Sequence, residues 1–442
     1  MRCSYLLSVL SLLGLSCFGP LPDALQAQEK ARPLDAIFTL QPLWGADRPT
    51  FMKTCKEARY RWVSAAKQTA RAAGTGLTFA GLPVTEALVR FDETGLKDFT
   101  FNFYNRGDAG TISEEAFETR VADCRRVLAA GLGGPGAERE EASSIAVDSE
   151  AVVWEVAGAR FVLDWSFQKE VRTRNQPFRA EFIRLNAAPI EEEPETFSIT
   201  TGIERPTSDA KPEENVVRKE NGDILLANVP MVDQGQKGYC VTASVERVLR
   251  YYGAAIDQHE IAQLADGDAE RGTSINAMIE AMERISNRTG VRVEEHYMMS
   301  FRDFQEMVED YNREARRADL PELYMPTAGI IDVTAIYSGM KPAPFREARL
   351  KAKSDYGRFQ RDIEDLIDQG YPGVWSVMLG LIPEKPALPQ AFGGHMRLII
   401  GYNTKTEEIL YTDSWGRGHE LKRMPMADAW AITKALSSLE PF

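Results

Sequence analysis

A polar, proline-rich stretch from Pro189 to Arg218 divides the chain into two halves, and it constrains the fold more than any other feature. It contains the acidic run Glu191–Glu193, followed by Pro194, and it has few apolar residues to bury. Such a composition is typical of a linker, because the segment cannot offset its ordering entropy by packing. A chain of 442 residues also exceeds what one hydrophobic core usually organises. We therefore predict one domain over residues 33–188 and a second over residues 222–442.

The N-terminal half alternates between helical and strand-like patterns, which indicates an α+β domain. Helices are predicted over Met52–Ala72 and Glu114–Ala130 from the spacing of their apolar residues. Strands are predicted over four short runs rich in β-branched and aromatic residues, namely 87–91, 99–104, 151–156 and 159–166. The sequence leaves three roles open for this domain. The first is recognition of a substrate or partner, which we favour. The second is masking of a cleft as an inhibitory prodomain, and the third is binding to a component of the cell envelope.

In the C-terminal half, Cys240 follows the glycine-punctuated loop Gln234–Tyr239 and begins an amphipathic helix. Apolar residues at three- and four-residue spacing define the buried face of that helix, namely Val241, Val245, Val248, Leu249 and Tyr252. A cysteine in the first helical turn lies near unpaired backbone N–H groups and the positive end of the helix dipole, and both favour a thiolate. The alternative is a small buried hydrophobe, which is a common role for a free cysteine. We predict that Cys240 is a nucleophile.

His395 and Asp413 are the predicted partners of that nucleophile. His395 opens a short apolar strand that runs to Tyr402, and the next strand, Glu408–Thr412, leads directly into Asp413. In an antiparallel hairpin the end of one strand lies beside the start of the other, so the Asp413 carboxylate is expected to reach the imidazole. We expect the carboxylate to accept a hydrogen bond from Nδ1–H of His395 and to leave Nε2 facing the sulfur.

These motifs resemble those of the papain-like cysteine peptidase superfamily, in which a glutamine six residues before the nucleophile completes the oxyanion hole. Gln234 stands six residues before Cys240, the superfamily's histidine maps onto His395, and its orienting Asn or Asp maps onto Asp413. The Asp form and the short loop before Cys240 are most similar to the branch that includes the bacterial double-glycine leader peptidases. The resemblance covers about residues 228–442, and it implies a papain-like domain in which helices and an antiparallel sheet meet at a cleft.

Local patterns fill in this predicted α+β fold. The helical layer is expected to comprise Cys240–Tyr252, Gln258–Ala265, Ser274–Ser286 and Phe301–Arg317. The sheet is expected to comprise Val291–Tyr297, Gly373–Leu379, His395–Tyr402 and Glu408–Thr412. We expect residues 321–360 to form a long, less regular insertion beside the cleft that influences substrate choice. The mixed-charge run Lys341–Arg361 is interpreted as a solvated helical face.

The resemblance implies acyl transfer through a thioester, with a protein or peptide as substrate. Cys240 would attack a peptide carbonyl, and Gln234 with the Cys240 backbone N–H would stabilise the oxyanion. His395 would protonate the departing amine and then activate water, while Asp413 fixes its tautomer. Two alternatives stay open: a transglutaminase or amidase that uses the same three side chains, and a non-catalytic binding module that keeps the peptidase fold.

The remaining histidines are assigned to other roles. His259 lies at a helix start with acidic neighbours and is interpreted as a capping or surface residue. His296 belongs to a predicted strand. His419 is close in sequence to Asp413, but polar loop residues are commonly exposed, so we expect it to be solvated and leave it out of the predicted site.

Residues 1–27 indicate a secretory signal peptide, because a charged start precedes a short apolar run and a small-residue cleavage site. We therefore expect the protein to be exported to a periplasmic or extracellular location. Lipidation at Cys17 is the disfavoured alternative, since Gly14 fits poorly in a lipoprotein signal. In an oxidising compartment Cys55 and Cys124 would be able to form a disulfide and leave Cys240 free.

Several classes of partner are excluded at this level. The formal net charge of -13 argues against nucleic acid, because phosphate binding needs a dominant basic face. The sequence has no Cys-x-x-Cys pair, no His-Glu-x-x-His helix and no phosphate-binding loop of the Gly-x-x-x-x-Gly-Lys type. We therefore expect no metal and no cofactor, and the apolar run near the N-terminus is too short to predict a membrane span.

Overall fold

The computed structural model describes residues 31–140, 148–170, 177–190, 211–235, 238–254, 256–264, 279–280, 282–283, 289–326, 331–385 and 387–442. The predicted signal peptide with Cys17, most of the predicted linker and most of the predicted helix Ser274–Ser286 lie outside these residues. We refer to residues 31–190 as the N-terminal region and to residues 211–442 as the C-terminal region.

The N-terminal region is built on an antiparallel sheet of eight strands that pair in the order β2-β3-β6-β7-β11-β10-β9-β8, while β1, β4 and β5 form a small separate sheet. In chain order these strands are β1 (Arg32–Pro33), β2 (Arg61–Trp62), β3 (Thr69–Ala73), β4 (Leu77–Phe79), β5 (Leu82–Pro83), β6 (Glu86–Phe91), β7 (Leu96–Asn105), β8 (Ala137–Glu140), β9 (Asp148–Val156), β10 (Ala159–Gln168) and β11 (Arg179–Pro189). The helices are α1 (Arg48–Thr54), α2 (Arg106–Ala109) and α3 (Glu114–Leu132).

Helix α3 shows why the sequence forms these elements where it does. The Ser113 hydroxyl caps its start by accepting from the Ala116 N–H, and Gly133 ends it in a left-handed conformation. Four side chains at three- and four-residue spacing are buried against the sheet, namely Phe117, Val121, Cys124 and Leu128. Burying a large apolar side chain of this kind contributes about 1.5–3 kcal/mol, so packing rather than capping holds the helix.

The C-terminal region contains a second antiparallel sheet, in the order β12-β13-β16-β15-β19-β14, with β17 and β18 added beside β16. Its strands are β12 (Val216–Arg218), β13 (Asp223–Leu226), β14 (Val291–Met298), β15 (Gly373–Leu379), β16 (Gly393–Asn403), β17 (Glu408–Thr412), β18 (Lys422–Pro425) and β19 (Thr433–Pro441). The described helices are α4 (Cys240–Tyr251), α5 (Gln258–Leu264), α6 (Phe301–Arg317), α7 (Val333–Gly339), α8 (Pro342–Leu350), α9 (Lys353–Asp368) and α10 (Met426–Ile432).

Helix α4 lies on the centre of this sheet. Its apolar face packs with Val374 of β15 and with Met396 and Leu398 of β16 in one buried cluster. The helix therefore brings the residue at its own start, Cys240, to the same end of the sheet as the first residues of β16.

The α+β class is confirmed, and most of the strands and helices predicted in the C-terminal region lie within two residues of their expected bounds. The N-terminal helix predicted over Met52–Ala72 is wrong. α1 ends at Thr54, Arg59 adopts a left-handed backbone conformation, and the chain continues as strands β2 and β3. The alternation of buried and half-buried residues along Thr69–Ala73 is the strand period that the helical interpretation overlooked.

Two further expectations need correction. The described residues of the stretch 321–360 are largely regular, because α7, α8 and the start of α9 lie there. The end of the predicted linker, Val216–Arg218, forms edge strand β12, whose pairing with β13 supplies the order that its polar composition does not indicate. Among the described residues, no helix combines the length and the apolar character needed to cross a bilayer.

The two regions meet through buried charge. Arg184 on β11 is fully buried, and its guanidinium contacts three carboxylates: Asp164 on β10, at 2.8 Å, and Asp257 and Glu260 at the start of α5. Beside it, the Ser166 hydroxyl donates to Oε1 of Gln263 at 3.0 Å. The short helix that follows α4 is therefore held against the N-terminal sheet.

Candidate active site

Cys240 is the first residue of α4, and it is partly exposed. No side-chain hydrogen bond from Tyr239 caps the helix, so the N–H groups of the first turn stay available to the sulfur. Burial alone would raise the pKa of this thiol. Contact with His395 and backbone N–H donation from Met396 and Val241 outweigh burial and lower the pKa of Cys240, which favours a thiolate.

His395 lies near the start of β16, almost fully buried, and its ring stacks on Trp415 with centroids 4.1 Å apart and planes 6° apart. Burial would lower the pKa of the imidazole, but contacts with Asp413 and Cys240 raise it above its ordinary value. The opposite shifts of the thiol and the imidazole are those of a thiolate–imidazolium pair.

The orientation of the histidine corrects one expectation. Nε2 of His395, not Nδ1, faces Asp413, at 3.4 Å from Oδ1. Stacking on Trp415 fixes the plane of the ring, and within that plane Nε2 is the nitrogen turned to the carboxylate. Nδ1 is therefore the nitrogen left for the sulfur. The carboxylate of Asp413 would accept a hydrogen bond from Nε2–H instead of from Nδ1–H.

Asp413 is fully buried directly after β17, and it lies among cations as well as histidines. Nε of Arg397 is 2.7 Å from Oδ1, Nζ of Lys422 is 3.1 Å from Oδ2, and Nδ1 of His419 is 3.5 Å from Oδ2. Burial opposes ionisation of the carboxyl, but the Arg397 charge and contacts with His395 and His419 hold its pKa well below the usual value. Asp413 is thus an anion that several positive groups share.

Glu384 completes this charge cluster. Its Oε2 accepts from Nη2 of Arg397 at 2.9 Å, from the hydroxyl of Tyr411 at 2.6 Å and from Nζ of Lys422 at 3.1 Å. Two carboxylates and two cations therefore alternate under the imidazole. Buried charges of this kind are stable only when they are all present, since removing one partner leaves another charge uncompensated.

Arg247 joins the elements that carry the predicted residues. From α4 it donates to the backbone carbonyl of Asp413 at 3.0 Å, to Oγ1 of Thr412 at 2.8 Å and to the carbonyl of Pro230 at 2.7 Å. Burial lowers the pKa of Arg247 to about 10, although Asp413 and neighbouring acids oppose the shift. The guanidinium fixes the nucleophile helix against the strand end that presents the carboxylate.

Gln234 lies in the loop that precedes Cys240, and it is buried. Its backbone N–H donates to the carbonyl of Ser414 at 2.8 Å, and the Ser414 hydroxyl donates to its Oε1 at 2.6 Å. Asp233 and Trp415 form an isolated β-bridge next to these bonds. Because Oε1 is engaged as an acceptor, Nε2 is the end of the amide that would donate to an oxyanion.

The structure thus brings Gln234, Cys240, His395 and Asp413 together, and it adds residues that the sequence interpretation missed. His419 is buried against Asp413 and Trp415 rather than solvated, because its backbone N–H and carbonyl close the turn after β17. The sequence did contain a signal that could have identified Arg397 as a site residue. It stands two residues after His395 on the same strand, and alternate residues of a strand share a face.

Two other expectations are overturned. Cys55 and Cys124 are both free and buried, so the disulfide that the sequence allows is not formed. Cys124 lies on α3, which packs on β9 to β11, whereas Cys55 follows α1. His259 is not a surface residue. It is buried with Nε2 3.5 Å from Oε2 of Glu86, because α5 faces the N-terminal sheet. Within the described residues no cluster of His, Cys, Asp and Glu is arranged to hold a metal ion.

Comparison with known families gives one result for the C-terminal region. Residues 226–318 and 326–438 match the model of a family described as the Peptidase_C39 like family. The matched segments contain every residue of the site described above. No curated protein matches the chain.

Proposed function

We propose that the protein is a cysteine peptidase that cleaves peptide bonds through a thioester on Cys240, because residues 226–318 and 326–438 match the model of the Peptidase_C39 like family. The observation that carries the proposal is geometric: Cys240 begins α4 beside His395, and Nε2 of His395 lies 3.4 Å from Oδ1 of Asp413. The directions of the two pKa shifts, lowered for the Cys240 thiol and raised for the His395 imidazole, agree with this arrangement. A charge-separated pair of this kind is the resting state that a thiol nucleophile needs.

In the first half of the reaction, the Cys240 thiolate attacks the carbonyl carbon of the scissile bond. The negative charge that develops on the carbonyl oxygen is stabilised by the backbone N–H of Cys240 and by Nε2 of Gln234. As the C–N bond breaks, the His395 imidazolium transfers its proton to the departing amine. The products of this half are a free amine, a thioester on Cys240 and a neutral imidazole.

In the second half, the neutral imidazole removes a proton from water, and the resulting hydroxide adds to the thioester carbonyl. Collapse of that intermediate releases the carboxylic acid and restores the thiolate and the imidazolium. Asp413 holds His395 by its Nε2 edge throughout, and Arg397 with Lys422 keeps the carboxylate ionised. The site therefore needs no group beyond its own side chains and water.

The test is turnover of a denatured proteome by the full chain, read as new peptide N-termini by mass spectrometry. We expect cleavage by the unaltered chain and none by Cys240→Ala, with circular dichroism showing that the variant is folded. Labelling of Cys240 by an epoxysuccinyl probe should accompany activity. Cleavage that persists in Cys240→Ala would refute the proposal.

The same assay separates the other functions. Intact Cys240 that neither reacts with the probe nor cleaves any peptide would identify a binding module. Incorporation of an added primary amine in place of hydrolysis would identify a transglutaminase. We also propose export, on the basis of residues 1–27, and mass spectrometry of the mature N-terminus would contradict that if Met1 were retained.

A further inference from the structure

A cleft of about 960 Å³ lies between the N-terminal region and the candidate site. The C-terminal region contributes Asp233, Gly235, Pro389 and Trp415 to its lining, and the rest of the wall comes from residues 32–108. This volume is at the upper end of the range of ligand-binding clefts, and it suits a peptide segment of a few residues.

Two residues of the cleft lining lie next to the site. Gly235 directly follows Gln234, the residue proposed to donate to the oxyanion, and Trp415 is the residue on which the His395 ring stacks. We infer that a peptide whose scissile carbonyl lies over Cys240 extends into the cleft on one side. The N-terminal region is then in a position to contact the substrate in addition to packing against the C-terminal region.

The lining is basic, in a protein whose net charge is -13. Four arginines contribute to it, namely Arg32, Arg59, Arg61 and Arg71, against the two aspartates Asp108 and Asp233. Arg71 is already paired, with Nε 2.6 Å from Glu86 and Nη1 3.5 Å from Asp233. Arg32 is fixed by donation to three backbone carbonyls, those of Ala58, Ala73 and Thr75.

Arg59 and Arg61 differ from these two. Both side chains are exposed on the cleft, and neither takes part in an ion pair among the residues that the structure describes. Trp62, next in sequence, is half-buried and adds an apolar aromatic face between them and the site. A guanidinium pairs well with a carboxylate, and a neighbouring indole packs on the backbone or on an apolar side chain.

We propose that the N-terminal region forms one wall of the substrate cleft and selects peptides that carry Asp or Glu beside the scissile bond, through Arg59 and Arg61. The inference rests on the proposed peptidase function and names its substrate class. A peptide suits the cleft better than a nucleic acid does, because its few charged side chains can lie away from Asp108 and Asp233, whereas these two carboxylates would repel a continuous phosphate backbone.

Binding can be measured without cleavage, on the full-length chain with Cys240→Ala. The probes are two short fluorescent peptides of equal length, one with several glutamates and the other with glutamines at the same positions, followed by anisotropy. We expect the acidic peptide to bind about tenfold more tightly, the size of two exposed charge contacts, and to lose that advantage between about 0.05 M and about 0.5 M salt. Equal affinities, or no binding of either peptide, would overturn the inference.

Arg59→Gln combined with Arg61→Gln should remove the preference and leave affinity for the glutamine peptide unchanged. Arg126→Gln with Arg302→Gln is the matched control, since it removes two exposed arginines far in sequence from the cleft and makes the same change in net charge. Preference for acidic peptide that survives in the first pair, or tighter binding of a single-stranded oligonucleotide, would overturn the inference.

The two proposals fail differently. If the unaltered chain cleaves no peptide but binds the acidic one in a way that depends on Arg59 and Arg61, the peptidase proposal fails and the basic wall stands. If it cleaves acidic and neutral peptides with equal kcat/KM, and the Arg59 and Arg61 pair of substitutions changes neither, the peptidase stands and the selectivity is wrong.

Discussion

The cysteines of the two regions lie in opposite environments. Cys55 and Cys124, in the N-terminal region, are buried among apolar side chains, and burial raises the pKa of each thiol to about 12. Cys240, in the C-terminal region, has an imidazole and two backbone N–H donors within reach, and its pKa is lowered although it too is desolvated. Burial by itself therefore raises the pKa of a thiol and makes it unreactive. A buried thiol that also has a cation and backbone N–H donors beside it has a lowered pKa and is reactive.

The largest expected effect is in alkylation of the folded chain. A pKa near 12 leaves roughly one thiol in 10⁵ ionised at pH 7, so Cys55 and Cys124 should react with iodoacetamide at least about 10³-fold more slowly than Cys240. Time-resolved peptide mass spectrometry would measure the three rates, and the difference should vanish in denaturant. Similar rates in the folded state would remove the distinction on which the mechanism depends.

His395→Ala should raise the pKa of Cys240 and lower its alkylation rate towards those of Cys55 and Cys124. Without the imidazolium, desolvation is opposed only by the backbone donors, so the pKa of Cys240 rises and its alkylation at pH 6 should slow by about 100-fold. His296→Ala is the matched control, because His296 contacts Ser438 rather than the site. Unchanged alkylation in His395→Ala would mean that the helix start alone activates the sulfur.

The pH dependence of the unaltered chain follows from the two shifts. The thiolate forms as pH rises through the lowered pKa of Cys240, and the imidazolium is lost as pH rises through the raised pKa of His395. Activity should therefore increase on an acid limb below 9 and decrease on an alkaline limb above 6.5, the ordinary values of these groups. A kcat/KM profile that still rises above pH 9 would contradict the paired state.

Lys422→Met tests the charge cluster with a smaller effect. Removal of one cation leaves Asp413 less compensated, so the carboxylate stabilises the imidazolium more and the alkaline limb moves to higher pH, with a rate change of a few-fold. Lys405→Met is the control, since Lys405 lies on the β16–β17 turn. A uniform loss of rate with no displacement of the limb would assign Lys422 a purely structural role.

Cys124→Ala should have the smallest effect on catalysis. It removes a buried thiol from α3 and should cost about 1–2 kcal/mol in the free energy of unfolding. It should leave kcat/KM within about twofold, since the pKa and the position of Cys240 depend on none of its contacts. Denaturant unfolding and kinetics on one preparation would separate the two quantities.

The sequence predicts the C-terminal site well because its residues belong to strongly patterned segments. Cys240 begins a helix with an apolar stripe, and His395 and Asp413 flank a hairpin, so local periodicity and antiparallel pairing suffice to bring them together. The choice between Nδ1 and Nε2 could not be made in this way, because it depends on how Trp415 packs against the ring.

What the sequence did not predict depends on contacts between distant segments. Lys422 contacts Asp413 directly and Glu384 joins the same cluster through Lys422, and no spacing rule links these segments to Asp413. The interpretation of His419 as solvated failed because loop residues are exposed on average, whereas this loop folds back over a buried carboxylate. Strand β11 was overlooked although it lies in the centre of the N-terminal sheet.

Arg184 has a consequence for how the molecule can be dissected. Its positive charge belongs to one region, two of its three carboxylates belong to the other, and all four side chains are largely shielded from solvent. A fragment that begins at Leu226 would lose the Arg184 partner of Asp257 and Glu260, and it would expose the face of α5 that packs on the N-terminal sheet. We therefore expect a single calorimetric transition for the intact chain, and an isolated C-terminal fragment would be a poor substitute for the full chain in activity assays.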